Sequence, residues 1–139
     1  MIYDIGIIGG GTAGMTAAVY GQRAGKQTII LEAMNYGGQI TASSCVENYP
    51  GIESISGAEF SMKLLDQAVR LGAETELDQV TGIRGENGIQ VIQTTGEEYA
   101  CRTVILATGV THRHLDVEGE ERLTGAGVSY CATCDGAFF

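Results

Sequence analysis

The chain has 139 residues, of which 17 are acidic and 8 basic, for a formal net charge of −9. No run of lysine or arginine forms a basic patch, so the composition disfavours binding to nucleic acid or to an anionic membrane. A content of 44% hydrophobic and 18% charged residues is ordinary for a globular domain. The uncharged run over residues 5–22 is interrupted by glycines, and the four cysteines do not resemble a secreted disulfide framework. We therefore expect a cytoplasmic protein.

Residues 1–32 predict a strand, a helix and a second strand. Residues 2–8 have the near-continuous apolar character of a parallel strand covered on both faces. Residues 13–23 predict a helix of small side chains, and residues 28–31 a second buried strand. This order is that of a βαβ unit.

The turn between the first strand and the helix carries a dinucleotide-binding fingerprint. Gly9, Gly11 and Gly14 have the spacing that permits a tight turn, close approach to a pyrophosphate and close packing of helix on strand. Glu32 ends the second strand, where a carboxylate accepts hydrogen bonds from ribose hydroxyls and repels a 2′-phosphate. The site fits FAD or NAD better than NADP. The alternatives are a purely structural glycine turn and a solvated carboxylate.

The middle of the chain predicts a long loop, one helix and a β-meander. Residues 33–55 lack periodicity, whereas Ser56 and Glu59 have the spacing of a capping box for a helix that Gly72 ends. The apolar stripe of that helix consists of Phe60, Leu64, Ala68 and Leu71. Residues 80–101 alternate around an Asn-Gly turn and predict antiparallel strands. Residues 103–107 predict another buried strand, with Thr108 and Gly109 at its carboxyl end, where ligands bind in open α/β folds.

The sequence Cys131-Ala132-Thr133-Cys134 is the strongest chemical signal in the chain. Two cysteines at this spacing can alternate between a dithiol and a disulfide, and Asp135 beside them could move the proton that this requires. A structural zinc site that also uses His112 and His114 is the alternative, as are two inert thiols.

The other titratable side chains give weaker signals. Cys45 and Cys101 are isolated in the sequence and are expected to be small buried side chains. His112 and His114 are expected at the surface rather than in catalysis.

Together these motifs resemble the bacterial-type, low-molecular-weight thioredoxin reductases. The matching stretches are residues 7–14, 37–39, 47–51, 107–109 and 127–136, and they follow the family's order and spacing along the whole chain. The last stretch is highly specific, whereas the first is shared by many flavoproteins. Thr12 departs from the family pattern, in which proline is common at this position.

The resemblance implies an α/β fold: a Rossmann-like FAD-binding domain whose parallel sheet carries a β-meander insertion. It implies FAD as the cofactor, NADPH as the reductant, thioredoxin as the partner and a homodimer. Cys134 would exchange electrons with the flavin, Cys131 would attack thioredoxin, and Asp135 would be the general acid and base. The implied FAD-binding residues are Gly9, Gly11, Thr12, Ala13, Gly14, Glu32, Gly38, Gln39, Asn48, Val80, Ala107, Thr108 and Gly109.

Family members are roughly twice as long as this chain, so it resembles an N-terminal fragment, truncated after the start of a second pyridine-nucleotide domain. The expected organisation is an FAD-binding segment over 1–114, a linker over 115–119, and the beginning of the NADPH and redox-disulfide domain over 120–139. The missing elements imply an exposed apolar face on the first segment. Two other functions stay open: a flavin-dependent dithiol oxidase or peroxiredoxin-reducing flavoprotein, and a non-catalytic nucleotide-binding module with structural zinc.

Overall fold

A computed structural model of the chain describes residues 1–132 and divides it into two units, Met1–Gly109 and a second that begins at Val110. Within the described residues, no helix is both long enough and apolar enough to cross a membrane. The first unit contains six strands and two α-helices, and the second a short helix. In chain order they are β1 (Ile2–Ile8), α1 (Thr12–Arg23), β2 (Thr28–Glu32), a 3-10 turn (Gly38–Ala42), α2 (Gly57–Arg70), β3 (Glu74–Leu77), β4 (Val80–Glu86), β5 (Ile89–Thr94), β6 (Glu98–Leu106) and α3 (Glu120–Leu123).

The first unit is built on one six-stranded sheet with the order β3-β2-β1-β6-β5-β4. β1 lies inside the sheet and pairs in parallel with β2 and with β6, so that Ile8 aligns with Leu31 on one side and with Leu106 on the other. The predicted α/β fold with a parallel sheet and a β-meander is confirmed. The carboxyl ends of the three strands therefore meet at one edge.

β6 is longer than predicted. The sequence predicted one strand at the end of the meander and a separate strand over residues 103–107. β6 is one continuous strand, whose first part pairs antiparallel with β5 (Gln93 with Glu98) while Ala100 to Leu106 pair in parallel with β1. The two predicted strands merge because no turn residue separates them. β6 thereby joins the meander to the parallel part of the sheet.

Asn87 and Gly88, in the predicted hairpin turn, both have positive φ, as a type I′ turn requires.

Two apolar clusters lie on opposite sides of the parallel strands. Ile30 and Ile7 pack with α1 and α2 through side chains such as Met15, whereas the neighbouring Ile29 packs in a cluster with Ile92 of β5. Alternate side chains of a strand point to opposite faces, so β2 has both of its faces covered. The continuous apolar pattern of the first two strands correctly predicted this.

The predicted helix cap is confirmed, and its apolar stripe is confirmed in part. The Ser56 hydroxyl accepts a hydrogen bond from the Glu59 amide at 3.1 Å, and Phe60 and Ala68 are buried. Leu71 was wrongly placed on the buried stripe, because it follows the last helical residue and is 42% exposed.

β3 was missed in the sequence. Its residues, Glu-Thr-Glu-Leu, are mostly polar, and it occupies the edge of the sheet next to β2. An edge strand that is open to solvent carries no continuous apolar pattern. A hydrogen bond of 2.6 Å from the Tyr3 hydroxyl to Glu74 fixes its start.

The carboxyl end of β6 leaves apolar side chains open to solvent. Leu106 is 68% exposed, and Ile105, which points to the other face, is 36% exposed. The end of β6 thus exposes apolar side chains on both faces of the sheet.

Replacement of Ile7 by alanine should destabilise the first unit by about 2–5 kcal/mol, because this fully buried side chain fills the cluster between the sheet and the two helices. Ile2→Ala is the matched control, since Ile2 lies in the same strand but is 49% exposed. Urea unfolding monitored by circular dichroism measures both. Equal losses in the two variants would contradict the assigned core.

Candidate dinucleotide site

The fingerprint loop leaves no room for a methyl group at two of its glycines. A Cβ on Gly9 would lie 2.2 Å from the carbonyl oxygen of Ala107, and Gly9 has a φ of +108°. A Cβ on Gly14 would lie 1.9 Å from the Gly9 carbonyl oxygen. The loop after β1 is therefore pressed against both the first turn of α1 and the residue that follows β6. These contacts explain two of the three predicted glycines by packing.

Gly11 is different. Its φ of −76° suits any residue, and a Cβ there would have one described neighbour within 4 Å, the Gly37 carbonyl oxygen at 4.0 Å. Neither packing nor backbone conformation in the described chain requires glycine at this position. What glycine preserves there is open space beside the amino terminus of α1, which is where a pyrophosphate approaches in a dinucleotide site.

Gly37 and Gly38 form the other side of this space. The Gly37 amide donates to the Gly10 carbonyl oxygen at 2.8 Å, and a Cβ on Gly38 would lie 3.3 Å from Gly11 Cα. Two distant stretches of sequence, each predicted to approach a ligand, therefore lie in direct contact.

Glu32 has a structural role that the sequence did not reveal. Its carboxylate accepts hydrogen bonds from the Gly10 amide at 2.7 Å and from the Met34 amide at 3.0 Å. It thus fixes the fingerprint loop to the loop after β2. A carboxylate offers about four acceptor positions, so two remain for ribose hydroxyls. The residues present fit the adenosine half of a dinucleotide.

The other predicted binding residues all lie in the first unit. Val80 is half-buried against the apolar cluster that includes Ile8 and Leu31, the last apolar residues of β1 and β2. Asn48 lies in the exposed loop between Val46 and Ile55, which pair with each other. The remaining ones begin α1 (Thr12, Ala13), lie in the 3-10 turn (Gln39) or follow β6 (Ala107, Thr108, Gly109).

In the second unit, the residues around Cys131 converge on one carboxylate. Glu120 is 4% exposed, and it accepts hydrogen bonds from the Tyr130 hydroxyl and from the amides of Leu115 and Asp116. These hydrogen bonds hold the pKa of Glu120 below its usual range, and the bond from Tyr130 has the largest effect. The same bond, with burial, raises the pKa of Tyr130 to about 12. Neither residue was singled out in the sequence, because a lone Glu and a lone Tyr carry no pattern.

Cys134 and Asp135 lie outside the described residues, so the predicted dithiol and its general acid stay predictions. His112 and His114 are exposed, as expected. Among residues 1–132, no group of three or more His, Cys, Asp or Glu side chains is placed to hold a metal ion.

The prediction for the two isolated cysteines holds for only one of them. Cys101 is fully buried, and burial raises the pKa of its thiol to about 11, which keeps it protonated and unreactive. Cys45 is exposed, 3.1 Å from the Ser54 hydroxyl, because the loop that carries it buries few side chains.

A family model for pyridine nucleotide-disulphide oxidoreductases matches residues 3–139. The chain belongs to this family. A thioredoxin reductase of Bacillus subtilis is 46% identical to it over 99% of this chain and 44% of the relative's length. One of Listeria monocytogenes is also 46% identical, over 43% of its length. The chain thus spans less than half of the curated relatives that it matches.

Solved structures in the same family have the same fold. The crystal structure of Lactococcus lactis thioredoxin reductase in its FR conformation matches with a TM-score of 0.82 and 47% identity. The Streptococcus pyogenes thioredoxin reductase matches with a TM-score of 0.87 and 43% identity. Each alignment covers 99% of this chain and 45% of the other.

The close contacts of the fingerprint loop predict different losses of stability for alanine at two of its glycines. Gly14→Ala should lower the free energy of unfolding by about 1–3 kcal/mol, because the new methyl group collides with backbone. Gly11→Ala should cost less, at most about 1 kcal/mol, because its methyl group enters open space and the cost is that of alanine at a helix N-cap. Thermal unfolding without added nucleotide measures both. A loss of stability in Gly11→Ala similar to that in Gly14→Ala would contradict the assignment of open space beside Gly11.

Proposed function

We propose that this chain is the FAD-binding and redox-dithiol part of an NADPH-dependent thioredoxin-disulfide reductase. Electrons would pass from NADPH through FAD to a Cys131–Cys134 disulfide and then to thioredoxin. Identity of 46% to thioredoxin reductases over nearly the whole chain supports this activity. No observation favours the dithiol oxidase, the peroxiredoxin-reducing flavoprotein or the zinc module.

The open approach at Gly11, next to the Glu32 carboxylate, carries the cofactor half of the proposal. The amides at the start of α1 would bind the pyrophosphate, since no side chain caps this helix and its first turn has no acidic residue. The remaining acceptor positions of Glu32 would bind the ribose hydroxyls. A carboxylate here disfavours NADP, so NADPH would bind elsewhere in the reductase.

The flavin end of the cofactor would lie toward the residues after β6 and the 3-10 turn. Thr108 follows β6 at the edge where β1 and β2 also end, and Gln39 lies in the turn that begins beside Gly11. Asn48 would contact the flavin or its chain, and the backbone around Val80 the adenine. When bound, FAD supplies the two-electron chemistry that connects a nicotinamide to a disulfide.

The cysteine motif would carry out the disulfide exchange. Reduction of a Cys131–Cys134 disulfide takes up two electrons and two protons. The Cys131 thiolate would then attack the thioredoxin disulfide to form a mixed disulfide, which Cys134 would resolve. Asp135 would give a proton to the leaving thiolate.

The organisation proposed for the chain is an FAD-binding segment over 1–114, a linker over 115–119 and the start of the pyridine-nucleotide domain over 120–139. We further propose a cytoplasmic homodimer with thioredoxin as its partner. Neither nucleic acid nor membrane is expected to bind, since the chain has a net charge of −9.

Gly11→Ala should weaken FAD binding at least about tenfold, because a methyl group would occupy the path of the pyrophosphate. Gly85→Ala is the matched control. It adds the same methyl group in β4, where the nearest described atom is 3.9 Å away. Fluorescence titration of the apoprotein with FAD measures both affinities. Equal affinity in Gly11→Ala and wild type would contradict the assigned site.

An anaerobic titration of the FAD-loaded protein with a small dithiol tests the redox half. We expect bleaching of the flavin absorbance in wild type, its loss in Cys134→Ser, and its retention in Cys45→Ser, which removes the exposed thiol outside the motif. Bound flavin that responds identically in all three would refute electron exchange between the motif and the flavin.

A further inference from the structure

Tyr130 is the residue before Cys131, and three residues within the described part of the second unit contact its side chain. Its hydroxyl donates to the Glu120 carboxylate and lies 3.3 Å from His114 Nδ1. The His112 ring stacks on the tyrosine ring, with centroids 4.9 Å apart and planes at 8°, and the His114 ring meets it edge-on. Asp116 adds to the negative charge near the hydroxyl.

The carboxylate that receives the tyrosine hydroxyl is itself fixed in place. Glu120 Oε2 accepts the Asp116 amide at 2.8 Å, and both carboxylate oxygens accept the Leu115 amide, at 2.9 and 3.0 Å. The Glu120 backbone begins α3, and its carbonyl oxygen accepts the Thr124 hydroxyl at 2.8 Å. A carboxylate held from this many directions can hold the tyrosine in one position.

We propose that Tyr130 and Glu120 are positioning residues for Cys131, and that the bond between them fixes the backbone that carries this sulfur. Cys131 follows Tyr130 directly, and its amide donates to the Ser129 hydroxyl at 3.0 Å, so little of the chain between the bond and the sulfur is free to move. The proposal rests on the proposed function in that Cys131 is taken as a redox thiol. The two residues act through Cys131.

The test measures how fast iodoacetamide alkylates Cys131 in reduced protein carrying Cys134→Ser, which leaves Cys131 without its neighbouring thiol. Mass spectrometry follows the Cys131 peptide, and the exposed Cys45 in the first unit is the internal reference. Tyr130→Phe keeps the ring that stacks on His112 and removes the hydroxyl. Tyr20→Phe is the matched control, because Tyr20 is 69% exposed in α1.

The bond holds the backbone of Cys131, which is half-buried, so losing it should let the reagent reach the sulfur more often. We expect Tyr130→Phe to raise the ratio of Cys131 to Cys45 alkylation about two- to tenfold, which corresponds to the free energy of one hydrogen bond. Glu120→Ala should raise it by at least as much, and Tyr130→Phe should add nothing in the Glu120→Ala background, because the two residues share one bond. Glu120→Gln, whose amide oxygen still accepts the hydroxyl, should restore part of the protection. Tyr20→Phe should leave the ratio unchanged.

An unchanged ratio in Tyr130→Phe and Glu120→Ala would overturn the proposal. Additive effects, a lack of rescue by Glu120→Gln, or a parallel rise at Cys45 would also overturn it, because each indicates general loosening. The flavin titration of wild type decides the proposed function separately. Flavin that responds to the dithiol together with an unchanged alkylation ratio would refute only the positioning role.

Discussion

The contact between three backbone segments at the carboxyl end of β1 is the constraint on which the first unit depends. The Gly9 carbonyl oxygen lies where a Cβ of Gly14 would be, and the Ala107 carbonyl oxygen lies where a Cβ of Gly9 would be. One methyl group at either glycine would separate a strand from its helix or one loop from the next. The parallel pairing of β1 with β2 and β6 brings these segments together, and the glycines let them close.

The same contact decides which part of the loop stays open. Neighbouring backbone occupies the space that a side chain on Gly9 or Gly14 would need, so the space beside Gly11 is what the loop leaves open. The Glu32 carboxylate, at the end of β2, accepts the amide of Gly10, the residue before Gly11. A single side chain therefore shapes the loop, and in the proposed function it also binds a ribose, so substituting it should change both the geometry of the loop and the affinity for FAD.

The sequence predicted the parts of this fold that are specified by local patterns. The apolar runs of β1 and β2, the Ser56 cap and the Asn87-Gly88 turn each depend on a few neighbouring residues, and all were correct. β3 was missed because a polar edge strand has no such pattern. The continuity of β6 was missed, although no turn residue separates the two predicted strands, because pairing of one strand with β5 and with β1 is a property of the sheet. The exposure of Cys45 depends on how little its loop buries, which spacing does not reveal.

The second unit is organised by a different kind of interaction. Within residues 110–132 the buried side chain is a carboxylate, Glu120, and no apolar residue of this stretch belongs to a buried cluster. A buried carboxylate is tolerated only when donors surround it, so its hydrogen bonds to Leu115, Asp116 and Tyr130 must form together. Hydrogen bonds are directional, whereas apolar burial is not. The position of the backbone near Cys131 thus depends on single polar atoms. Removing one hydroxyl there should loosen this backbone, whereas removing one methyl group from the surface of the first unit should leave its backbone in place.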